Sequence, residues 1–151
     1  MIFRVGNIEI DVWLVTRIAL VMSGALGATA FLPGPDSPFV GQPISFLLVF
    51  FGFGVIAMPF VVGLQAFNPR SGILWTKPDW RTNPFSLKQP LQFFHMMGYY
   101  FIVSGIAASV ATLLRHMSGL EPFIPIALGA GVLLGVKICI LLFRWKFIPK
   151  A

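Results

Sequence analysis

Four long apolar runs, separated by polar segments, set the plan of the chain. They cover residues 12–32, 44–67, 91–114 and 123–143. Each holds about 20 residues or slightly more, enough for a helix to cross the ~30 Å hydrocarbon core of a bilayer. In lipid every backbone N–H and C=O must find a partner inside the protein, so runs of this kind read as helices. The pattern predicts an all-α membrane protein, a single domain over residues 1–151, with four transmembrane helices. The connectors at 33–43 and 115–122 are short, which predicts two helical hairpins. Residues 1–11 read as a mildly amphipathic lead-in, with Asp11 placed to cap the first helix.

The longest polar segment, NPRSGILWTKPDWRTNPFSLKQP at 68–90, joins the two halves. It holds four of the eleven Lys and Arg residues, two of the four Trp, and four Pro. Pro69, Pro78, Pro84 and Pro90 restrict the backbone before them and oppose a free helix. Asn68-Pro69 and Asn83-Pro84 read as turns. Trp75 and Trp80 suit a headgroup boundary. The expectation is an ordered loop lying against the membrane surface.

Charge adds orientation. Arg4, Arg17, Arg70, Lys77, Arg81, Lys88, Arg144, Lys146 and Lys150 fall on one side of such a topology, and Arg115 alone on the other. Nine against one predicts cytoplasmic termini and a cytoplasmic 68–90 loop, by the excess of Lys and Arg in inner loops. The compact chain and short loops suggest a bacterial inner membrane. A competing reading makes the first run a signal peptide, cleaved after Ala28-Thr29-Ala30. The acids Glu9 and Asp11 before Arg17 oppose it.

Composition agrees. The chain is 57% hydrophobic and 11% charged, with a mean hydropathy of +0.86. Soluble domains carry about 25% charged residues. The net charge of +6 is spread along the ends of apolar runs, unlike the clustered stripe that binds nucleic acid. The lone Cys139 lies in an apolar run and reads as a small buried residue.

Candidate chemistry is sparse. Arg17 and Lys137 are charges within spans and are functional candidates for that reason. Both lie near the predicted cytoplasmic ends, so the simpler reading is snorkelling to the headgroups. No carboxylate lies deep in a span, which argues against proton- or cation-coupled transport. His95 has Tyr99 one turn later on its face, and Gln92 one turn before. It could hold haem, a metal or a quinone headgroup. His116 is roughly 30 Å further along the helix and cannot share a ligand with it. A hydrogen-bonded interfacial histidine is the plainer reading.

Three helices carry ladders of small residues: Ala19, Ser23 and Gly27; Gly98, Gly105, Ser109 and Thr112; and Ala127, Gly131 and Gly135. Such faces let helix backbones approach closely in lipid. They could close one bundle or be spare for a partner. Pro59, in the middle of the second span, predicts a kink. There is no P-loop, GxSxG, HExxH, CxxC or acid pair. No catalytic set, cofactor or metal site is therefore expected.

The leading expectation is a non-enzymatic membrane protein that binds another membrane protein, as an accessory or assembly subunit or an immunity-type protein. Trp75, Trp80, Arg81 and Phe85 would be its anchors, because aromatic residues and Arg dominate interface energetics. The alternatives are a homo-oligomeric channel or small transporter, and a redox or quinone-associated subunit using His95.

Overall fold

The structure, a computed structural model, describes the backbone of residues 2–5, 8–68, 70, 72–86 and 88–147, and side chains from Asp11 onward within those ranges. Pro69, Lys150 and the side chains of Arg4 and Glu9 lie outside the described residues. Four helices are long and apolar enough to cross a membrane. They are α1 (Val12–Ala30), α2 (Leu47–Ala66), α3 (Pro90–Leu114) and α4 (Phe123–Leu142). A short 3-10 turn, Ile44–Phe46, leads into α2. Pro90 occupies the first turn of α3, where its missing N–H costs nothing. The helix α2 continues through Pro59.

One element departs from the all-helical expectation. Residues before α1 form an antiparallel hairpin, β1 (Ile2–Val5) with β2 (Ile8–Asp11). The alternation of apolar and polar positions in IEID is a strand period, and IFRV is rich in strand-favouring Ile, Phe and Val. Asp11 then ends the hairpin and caps α1, its carboxylate accepting from the Trp13 N–H at 3.1 Å.

The helices pack in the order α1, α3, α4, α2. The second half is a hairpin, as expected. The first half is not: α1 and α2 stand on opposite sides of the α3–α4 pair. The reason lies in the small-residue ladders. A Cβ on Gly27 of α1 would collide with the Ser104 backbone of α3. The Ser104 hydroxyl donates to the Ser23 carbonyl at 2.8 Å across that same contact. On α4, Gly131 lies against the Phe51 carbonyl and Gly135 against Met58, both of α2. Gly129 of α4 meets the Gly98 carbonyl, and Gly105 of α3 meets Pro122 and Ile126. Thus α4 presents small residues on two faces and takes a neighbour on each. The ladders are spent inside the molecule, so none of these contacts is spare for a partner.

The main core lies between α2 and α4 near the start of α3, and comprises Met58, Val62, Leu91, Val132, Val136, Cys139 and Phe143. Cys139 is fully buried there, as a small apolar residue. Each long connector must now cross helices, the first over the α3–α4 pair and the second over α4. Residues 31–43 pass over one end, where Pro33 packs on Gly119. The 68–90 loop crosses the other end.

Candidate functional site

The 68–90 loop is footed on three helices. It leaves α2 beside Phe143, where Phe67 packs edge-on at 6.5 Å. Trp75 then sits between Phe143 and Phe147, with ring centroids 5.6 and 5.7 Å away. Trp80 lies over Tyr99 at 4.7 Å and His95 at 6.2 Å. Phe85 stacks on Tyr100 at 6.3 Å. The Leu74 N–H donates to the Lys88 carbonyl at 2.8 Å and closes the loop on itself.

Gln92 fastens the middle. Its side chain is 1% exposed, in the first turn of α3. Its Oε1 accepts from the Asp79 N–H at 2.7 Å. Its Nε2 donates to the carbonyls of Asp79 at 2.7 Å and Thr82 at 3.2 Å. One primary amide thus imitates a strand edge, pairing both backbone groups of Asp79. Three Asx turns shape the loop: Asn68 accepts from the Arg70 N–H, Asp79 from the Arg81 N–H and Asn83 from the Phe85 N–H.

Under this loop lies a cavity of about 330 Å³. Lys77 and Pro78 form its loop wall, and His95 and Tyr99, at helical spacing i and i+4, form its α3 wall. From α4 come Leu133, Val136 and Ile140 as an apolar floor, with Lys137 at its edge. His95 and Tyr99 meet edge to face at 5.1 Å. Among the described residues, no acid lines it. Two ammonium groups at one cavity oppose a metal cation and favour an anionic or acceptor-rich group. Among the described residues, no three His, Cys, Asp or Glu come together as a metal-holding group.

The residues singled out in the sequence therefore separate. Trp75 and Trp80 are half-buried and spend their rings on the protein's own helices. Arg81 and Phe85 are exposed on the loop. Lys137 reaches the His95 cavity, opposite to the α2-facing Gly135. Arg17, on α1, is far from it in the helix order. Its guanidinium lies 4.7 Å over the Trp13 ring, drawn toward the start of α1. Gln92 is the residue whose role the sequence hid. Its partners are ten and thirteen residues away in a non-periodic segment, and no local pattern signals such a pairing. Lys77 was legible only as part of the positive loop.

At the opposite end, Glu121 is 7% exposed and one of its carboxylate oxygens has no partner. It lines a second cavity, of about 390 Å³, between the 34–42 and 118–121 segments. No protein-family model, curated protein or solved structure matches this chain.

Proposed function

We propose that this is a non-enzymatic multi-pass membrane protein that acts by binding another membrane protein, as an accessory or assembly subunit or an immunity-type protein. The aqueous face of the 68–90 loop is the contact. The Gln92 clamp carries this reading. A simple tether between α2 and α3 need only span the distance, and ordering it costs about 1–2 kcal/mol per residue in backbone entropy. A buried amide spent on fixing its shape supports a recognition role. The fixed shape leaves Arg81 and Phe85 exposed, residue types that anchor interfaces. Trp75 and Trp80 serve as the loop's footing.

The basic loop and the Arg144 and Lys146 segment share one end of the helix row, through the contact of Trp75 with Phe143 and Phe147. By the positive-inside rule that end faces the cytoplasm, with both termini on the cytoplasmic side of a bacterial inner membrane. The close fit of α1 on α3 supports α1 as a retained span.

Replacing Phe85 with a photo-crosslinking residue tests the reading. The expected product is an adduct with one distinct membrane protein, lost on Arg81→Ala. Adducts with a second copy alone would move the reading to a homo-oligomeric channel or small transporter. Adducts with lipid alone would sink the loop's role. A visible absorption band that vanishes on His95→Ala would favour the redox or quinone reading.

A further inference from the structure

The cavity beneath the loop has a chemistry that partner binding does not use. Three separate elements bring Lys77, His95, Tyr99 and Lys137 to its wall. Each carries a group able to donate a hydrogen bond, and two are ammonium ions. The floor from Leu133 to Ile140 is aliphatic. Lys137 lies five residues from the end of α4, about 7 Å below it along the axis. In a bilayer whose ~30 Å core α4 spans, that depth is just inside the acyl-chain region, within reach of the headgroups for a lysine side chain. The ligand that satisfies such walls has an anionic, acceptor-rich head, an apolar tail, and access from the membrane. A soluble anion would leave the aliphatic floor unmatched. A neutral amphiphile would leave the two lysines of the cavity without a counter-charge.

We propose that this cavity binds the phosphate group of an anionic phospholipid, with Lys77 and Lys137 on the phosphate oxygens. His95 and Tyr99 donate to the remaining oxygens, and the acyl chain follows the floor of α4. Trp80 packs on Tyr99 and His95 and so braces the α3 wall of the site. Bound lipid would thereby join α3, α4 and the loop.

The test uses the full chain in mild detergent, titrated with phosphatidylglycerol or phosphatidylcholine of identical acyl chains, with bound lipid counted by native mass spectrometry. Phosphatidylglycerol should be retained in preference to phosphatidylcholine. Each of K77Q and K137Q should weaken its retention about fivefold, and the pair about 25-fold, from ~1 kcal/mol per basic residue at a membrane surface. K137R should restore most of the loss. K88Q, an exposed loop lysine outside the cavity, should leave retention unchanged. Helical circular dichroism confirms that each variant is folded. Three results would overturn the proposal. In the first, K77Q and K137Q behave like K88Q. In the second, a neutral quinone is retained as well as phosphatidylglycerol and ignores the lysine substitutions. In the third, inorganic phosphate at millimolar concentration displaces the lipid with the same lysine dependence, which would make the ligand a soluble phosphate.

Discussion

The two ends of the helix row handle buried polar groups in opposite ways. At the loop end, a neutral amide on Gln92 is sunk below the surface and given three backbone partners. At the other end, a carboxylate on Glu121 is sunk to a similar degree, with one oxygen unmatched. The loop end has unpaired buried atoms as well, the Tyr100 hydroxyl and the side-chain amide oxygens of Gln65 and Gln89, but these are neutral. A neutral orphan costs about 1–3 kcal/mol at most, whereas a buried charge without full pairing costs more. The helix end before Glu121 shows the same looseness. There α3 closes with His116 in the left-handed region, at φ 54°. Rigidity has been invested in the basic, Trp-rich end.

The contrast is broken most severely by removing its anchor. Gln92→Ala strips partners from the Asp79 N–H and two carbonyls and leaves a void in the first turn of α3. The expected loss is about 2–3 kcal/mol. Amides of the 72–86 segment should exchange faster while those of α4 hold. An unchanged loop would show that the aromatic contacts suffice. The next effect belongs to Trp75→Ala, which uncovers Phe143, itself 8% exposed. A half-buried Trp against two aromatic rings is worth about 2 kcal/mol. The melting midpoint in detergent should fall, and a shift no larger than that of an exposed site such as Arg70→Ala would remove Trp75 from the loop's footing.

The spans were legible because lipid imposes a local rule: an uninterrupted apolar run long enough to cross. The observed helices start or stop within about two residues of the predicted bounds at most ends, and three residues in where the chain enters α2 as a 3-10 turn. The ladder glycines were legible too, since 3.6 periodicity places Gly131 and Gly135 on one face. Their partners were not. Short connectors favour neighbouring helices, and that prior wrongly paired α1 with α2. Backbone approach at Gly27 and Gly131 decided otherwise, and it depends on matching surfaces far apart in sequence. The lead-in hairpin was missed although IEID alternates, because an amphipathic segment that short fits either period. The site was the least legible part. His95 and Lys137 stood out singly, as polar residues in apolar runs. Their meeting with Lys77 required the loop to cross α4, which follows from the helix order and from no motif. The burial of Glu121 escaped notice for the same reason.

The Glu121 end sharpens the comparison from the other side. Glu121→Gln removes a buried charge while keeping shape, and should raise stability by about 1 kcal/mol. A loss of stability instead would mean that the carboxylate is held by a group, such as a cation or a basic partner residue, that its charge serves.

The smallest effect concerns the helix end beside it. The His116 N–H donates to the Leu113 carbonyl and the Met117 N–H to the Thr112 carbonyl, at 3.1 and 3.0 Å. This is the Schellman arrangement, whose left-handed position is normally glycine. An L-residue there pays about 1–2 kcal/mol in strain. Glycine removes that strain but loses about 0.5–1 kcal/mol through the greater freedom of its unfolded chain. His116→Gly should therefore stabilise by about 0.5 kcal/mol, read as a small rise in the thermal midpoint, with the Gln92 clamp untouched. A fall would show that the imidazole makes a contact worth more than the strain, and would make this end less loosely built than its backbone implies.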